Sequence, residues 1–205
     1  IISICRFKDG VLASLSNGEL VYLDDNGNRT TIRIERKGKF FRYLSYGVSD
    51  DLWMIEEGAK EIINLKSDMS VKRYDVSHCP IDAYSIIFSN QKNEVFAAGT
   101  ASKIELIKLD PKKEKFEPMK ISSDLSINGE ITVNDMDFDR ANNPVIATSK
   151  GVFVIAGGKA TLLDRSFNRV NVRSVSVDNV NFNYWIGTSD GLYRFDGQSI
   201  SHFDV

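Results

Sequence analysis

At 205 residues, 42% hydrophobic and 26% charged with both signs interspersed, the chain has the composition of a globular protein able to bury a sizeable core. Its 26 Lys and Arg against 28 Asp and Glu leave a formal net charge of −2, which offers no basic field to phosphate backbones and argues against a nucleic-acid partner. No apolar run approaches the roughly 20 residues that cross a bilayer as a helix, and two cysteines, Cys5 and Cys79, make no disulfide framework. The opening Ile1-Ile2-Ser3-Ile4 has neither an initiator Met nor a secretion signal, so a processed chain or a piece of a longer one is expected.

Period-2 alternation of apolar and polar residues predicts strands almost everywhere, in groups of four. Residues 1–36 carry strands over 2–7, 11–14, 20–23 and 31–34, punctuated by Asp9-Gly10, Asn17-Gly18 and Asn26-Gly27. Residues 37–78 carry 41–46, 52–55, 61–65 and 71–74. Residues 79–124 carry 83–88, 95–98, 104–109 and 116–121, with the charged stretch from Asp110 to Lys115 as a solvated hairpin tip. Residues 125–166 follow Asn128-Gly129 with 131–138, 145–147, 151–155 and, after Gly157-Gly158, 161–163. Residues 167–205 carry 172–177, 184–187, 192–195 and, after Asp196-Gly197, 200–203. No segment has a 3.6-residue apolar stripe of useful length, so the fold class is all-β.

The last two groups echo one another. Val145-Ile146-Ala147-Thr148-Ser149-Lys150-Gly151-Val152-Phe153 returns as Trp185-Ile186-Gly187-Thr188-Ser189-Asp190-Gly191-Leu192-Tyr193. Five four-stranded meanders of about 40 residues are the sequence form of a β-propeller, because one meander cannot bury both faces and must stack on neighbours. A β-solenoid is the alternative, but its repeats are shorter and lack a hairpin at every step. The copies begin and end with the chain, and no strand is visibly shared between the termini. An open arc of a larger ring is therefore expected, rather than a closed five-bladed one, with bare end blades that favour self-association.

Trp185-Ile186-Gly187-Thr188, Asp190-Gly191-Leu192-Tyr193 and Phe195-Asp196 resemble the two-component-regulator propeller repeat of bacterial, Bacteroides-type hybrid sensor histidine kinases. The fourth copy keeps Ile146, Thr148 and Gly151 but has Val145 and Ala147 in place of Trp and Gly. The second keeps Leu52-Trp53 and departs at Glu56-Glu57-Gly58; the first and third match mainly by position. These motif residues read as structural: Gly and Thr fit the second strand and its turn, and Trp packs between blades. The resemblance implies an arc of a seven-bladed propeller in the periplasm, in an inner-membrane protein whose membrane contact lies in other parts. It also implies a non-enzymatic sensor segment that detects a small-molecule ligand, an oligosaccharide or related nutrient. A protein-binding propeller scaffold and a polysaccharide-acting propeller enzyme are the alternatives.

Motifs for chemistry are sparse. Asp135, Asp137 and Asp139 would share one face of a strand and invite a cation, but an EF-hand-type loop needs Gly where Arg140 stands and an acid where Ile146 stands. Asp139 also suits a turn, so no metal site is assigned. His78 and His202 have no partner at ligand spacing, and Glu56-Glu57 point to opposite faces of a strand. With no nucleophile elbow, zinc-protease motif or phosphate loop, neither a catalytic residue nor a cofactor is assigned. Binding candidates come from the positions where the first strand of each copy begins: Arg42, Tyr43, Tyr84, Asn134, Asp135 and Arg173. These side chains suit hydroxyl-rich or anionic ligands, and the tyrosines offer a stacking face.

Overall fold

The computed structural model describes residues 1–47, 51–123 and 129–204. Asn128, half of one expected turn dipeptide, lies outside them. The chain divides into two compact units, one of Ile1–Ala98 with Ile107–Pro118, the other of Gly99–Leu106 with Met119–Val205.

In the first unit, β1 (Ser3–Phe7), β2 (Gly10–Ser14), β3 (Leu20–Asp24) and β4 (Arg29–Ile32) form an antiparallel meander. A second meander has β5 (Phe41–Tyr46), β6 (Leu52–Glu56), β7 (Glu61–Leu65) and β8 (Val71–Asp75). It is followed by β9 (Ala83–Ser89), β10 (Val95–Ala101), β11 (Leu106–Asp110) and β12 (Lys115–Pro118). Strand β6 explains the stacking. All five of its residues are buried, and alternation sends Leu52 and Met54 to one face, Trp53 and Ile55 to the other.

Leu52 and Met54 join Phe7, Leu12, Leu20, Phe41, Ile63 and Leu65 in one core. Trp53 and Ile55 join Ile62, Tyr74, Val95, Ile107 and Phe116 in a second, where the Trp53, Tyr74 and Phe116 rings meet at 5.5 to 6.1 Å. Each such buried side chain contributes about 1.5–3 kcal/mol, so a two-faced strand is worth far more sandwiched than alone.

Cys79 lies in the second core, whereas Cys5 is only half-buried beside the first, and no disulfide joins them. Burial pushes the Cys79 thiol pKa up.

The second unit holds β13 (Ser122–Ser123), β14 (Ile131–Phe138), β15 (Pro144–Thr148), β16 (Gly151–Ala156), β17 (Lys159–Leu162), a short 3-10 helix (Arg165–Phe167), β18 (Ser174–Asp178), β19 (Asn183–Gly187), β20 (Leu192–Phe195) and β21 (Ile200–Phe203). Val145, Ala147, Val152, Phe167, Val172, Val175, Ile186 and Phe195 make its main core.

The two matching motif stretches do the same structural work. Thr148 Oγ1 donates to the Gly151 carbonyl at 2.8 Å, and Thr188 Oγ1 to the Gly191 carbonyl at 3.1 Å. Trp185, expected to pack between blades, instead lies half-buried with its ring 6.0 Å from Phe203 of its own sheet.

Three further features differ from expectation. The fourth strand of the third copy ends at Pro118, with one further bond from the Met119 N–H to the Leu106 carbonyl at 2.9 Å; Ser122 and Ser123 then pair in parallel with Lys159 and Ala160. Strand β10 runs past Ala98, because small Gly99, Thr100 and Ala101 stay extended instead of turning. Thr100 and Ala101 thereby pair with Thr132 and Ile131 of β14. Thr100 and Ala101 thus join the sheet of the fourth copy, while the first, second and fifth copies form four-stranded sheets of their own.

The first and last meanders each keep a bare face. Ile4 is 61% exposed on β1, and Phe203 is 45% exposed on β21.

Candidate functional site

Two of the strand-start residues sit at β-bulges. The β5–β6 register shifts between Phe41 and Tyr43, and the β14–β15 register between Val133 and Asp135, so Arg42 and Asn134 are the extra residues. A bulge re-aims the side chain it carries. Arg42 points to solvent and pairs with Glu57 at 2.8 Å. Asn134 Nδ2 donates to the Val172 carbonyl at 2.7 Å and to Asn171 Oδ1 at 3.3 Å.

The remaining candidates lie elsewhere. Tyr43 is half-buried against the Trp53 core. Tyr84 is buried, its hydroxyl donating to the Val76 carbonyl at 3.3 Å and its pKa raised, chiefly by burial. Arg173 is exposed, and its backbone N–H donates to Gly187 O at 2.8 Å. Within the first unit Arg42 and Tyr43 are chain neighbours; within the second, Asn134 and Asp135 are.

The three aspartates are hydrogen-bond staples. Asp135 Oδ2 accepts the Val175 backbone N–H at 3.0 Å, and Asp137 Oδ2 accepts that of Val177 at 2.7 Å, each 40 residues further on. Their other oxygens accept from Met136 N and Phe138 N. Asp139 Oδ1 takes the Ala141 and Asn143 N–H groups of the hairpin turn. In the first unit Ser3 Oγ plays the matching part, accepting from Leu44 N at 3.2 Å. Asp135 is buried enough for desolvation to raise its carboxyl pKa despite those two donors. Among the described residues no three His, Cys, Asp or Glu side chains group as a metal site.

Among the described residues, concavities within single units include a groove and a smaller pocket. A groove of about 520 Å³ is lined by Arg73, Tyr74, His78, Lys113 and Glu114 among others. Its charges are mostly paired internally: Arg73 with Glu61 at 2.9 Å, Lys113 with Asp110 and Glu117 at 3.5 Å, and Glu114 with Lys72 at 2.8 Å. A smaller pocket of about 210 Å³ lies between the β14–β15 and β18–β19 hairpins, lined by Asp139, Arg140, Val177, Asn179, Phe182 and Tyr184. Burial, with the Asp139 charge second, raises the Tyr184 pKa. Strand-start reasoning passed over this pocket. Its signal was Phe182, an aromatic residue inside an Asp/Asn turn.

The consecutive meanders and two-sided cores define an all-β, propeller-like protein. Neither a family description nor a curated protein matches the chain by sequence. Solved structures do match. The extracellular domain of a hybrid two-component system from B. thetaiotaomicron superposes with a TM-score of 0.76 at 16% identity, covering 100% of this chain and 28% of that one. Virginiamycin B lyase from Staphylococcus aureus gives 0.79 at 13%, covering 100% and 69%. PorZ, a surface component of the type-IX secretion system of Porphyromonas gingivalis, gives 0.73 at 12%, covering 98% and 33%. The chain thus spans under a third of the two-component structure, and at these identities the likeness is one of fold. Among the described residues no helix is long and apolar enough to cross a membrane.

Proposed function

We propose that this chain is a non-catalytic segment of the periplasmic sensing region of a two-component system sensor histidine kinase. The observation that supports it is the likeness, over the whole chain, to the extracellular domain of a hybrid two-component system. The Trp185–Phe195 motif, which resembles the repeat of such sensors, points the same way. In this reading Arg42 of the first unit and, separately, Arg173 of the second each offer exposed donors to a ligand rich in hydroxyl groups, an oligosaccharide or related nutrient. Signalling needs only that the ligand bind two arrangements of the sensor unequally.

The test is made on the parent protein in membrane vesicles. Autophosphorylation should respond to members of an oligosaccharide panel, and deleting residues 1–205 should abolish that response. A parent without a membrane span and a kinase region overturns the reading.

The bare faces carrying Ile4 at one end and Phe203 at the other are proposed to associate between copies. Light scattering of the isolated chain should give a mass that climbs with concentration, and Ile4→Lys should suppress the climb. A concentration-independent monomer contradicts it.

A further inference from the structure

Phe182 carries an aromatic ring in a backbone conformation that Lys8, Met69, Asn93, Glu114, Asn142 and Arg169 also adopt. It has a left-handed backbone, with φ +58°, while its side chain is 55% exposed. The left-handed residue of the turn is Asn93 (φ +59°) in the β9–β10 hairpin and Asn142 (φ +63°) in the β14–β15 hairpin, but Lys8 (φ +53°) in the β1–β2 hairpin and Met69 (φ +70°) in the β7–β8 hairpin. Asn tolerates this conformation; a bulky aromatic residue is strained in it and gains nothing by facing water. An aromatic residue held in this conformation stores backbone strain.

Its surroundings describe what would use it. The Arg140 guanidinium lies over the Phe182 ring, 5.4 Å from the centroid, a contact that consumes none of its N–H donors. Arg140 has no carboxylate partner among the described residues, and the Tyr184 hydroxyl has no hydrogen-bond partner among them. Asn179 donates through Nδ2 to the Phe138 carbonyl at 3.0 Å, which keeps its Oδ1 as an acceptor. Asp139 Oδ2 accepts from Asn143 Nδ2 at 2.9 Å and retains a lone pair.

The charges of Arg140 and Asp139 cancel, so the pocket has no net preference for an anion. Aromatic faces with an apolar floor at Val177, rimmed by fixed donors and acceptors of both kinds, fit a ring that is apolar across its C–H face and polar at its edge. We infer that the pocket between the β14–β15 and β18–β19 hairpins binds a neutral pyranose residue, with Phe182 and Tyr184 against the ring and Arg140, Asp139 and Asn179 at its hydroxyls. This gives the sensing reading above a second contact point. It does not depend on that reading, since a parent protein without a kinase would leave binding here unchanged.

The probes are the methyl pyranosides of glucose, galactose and mannose, with glycerol as a ring-free control, in saturation-transfer NMR on the whole chain. At least one pyranoside should receive saturation and shift the Phe182 ring resonances, whereas glycerol should do neither. Phe182→Asn should remove the transfer while raising the thermal midpoint, since Asn suits the left-handed position. Arg140→Ala should weaken binding at least tenfold with an unchanged circular dichroism spectrum. Transfer to none of the three pyranosides, or transfer undiminished in Phe182→Asn, overturns the inference.

Discussion

Gly151→Ala is expected to destabilise the chain by about 2–4 kcal/mol, and Gly191→Ala by a similar amount. Gly151 opens β16 and Gly191 immediately precedes β20, at φ +134° and +135°, where an L side chain is strained whatever the space around it. Space is also lacking. A Cβ on Gly151 would stand 2.6 Å from the Phe167 carbonyl oxygen, and one on Gly191 would stand 2.6 Å from the Phe203 carbonyl oxygen and from His202 Nε2. Gly58 separates the two effects, because it has φ +83° with nothing within 4 Å of its Cβ site. Gly58→Ala should therefore lose only about 1 kcal/mol, the conformational part alone. Urea unfolding checks this as a shift in midpoint at constant slope. Equal losses at all three positions would mean that the backbone angle dominates and the close approach matters little.

The strands were legible because each meander is written locally. Alternation marks faces, Asp-Gly and Asn-Gly mark turns, and the unbroken Leu52-Trp53-Met54-Ile55 run marks a strand buried on both sides. Even the β14 bulge had a local trace. Ile131 and Val133 are buried at odd positions and Met136 and Phe138 at even ones, with the polar pair Asn134-Asp135 between them where the face switches. Tyr84 shares its parity with buried Ile86, so alternation already aimed it inward, away from a ligand.

What the sequence did not disclose is lateral. The Thr100–Thr132 pairing and the staples to Val175 and Val177 join segments 32 to 40 residues apart through groups that any strand possesses. No period-2 or turn signal encodes them. The strand-start rule gathered residues by their place in the repeat, but a ligand pocket depends on which hairpins approach. Phe182 gains a pocket only from the β14–β15 hairpin that approaches it.

The staples make the second large effect. In the variant with both Asp135→Ala and Asp137→Ala, the Val175 and Val177 N–H groups lose their acceptors, each at about 1–3 kcal/mol. Because Val175 belongs to the main core of the second unit, the loss should appear as earlier global unfolding, with amide exchange at Val175 and Val177 accelerating first. Asp135→Ser should be far milder, since Ser3 performs the equivalent task on Leu44 with one hydroxyl oxygen.

The pH dependence distinguishes a staple from a cation ligand. Burial raises the Asp135 pKa above its ordinary 3.8, so the folded state holds this proton more tightly than the unfolded chain does. Its contribution to stability is complete below the unfolded value and is lost as pH rises through the raised folded value. The gap in midpoint between the native chain and Asp135→Ser should thus shift in favour of the native chain as pH falls through that window. A carboxylate kept ionised to hold a cation would behave oppositely, with its pKa depressed and its contribution lost on acidification, and added calcium would raise the native midpoint. No response to calcium, together with the gap moving in the native chain's favour in acid, is the outcome that a desolvated carboxyl bound to two backbone N–H groups requires.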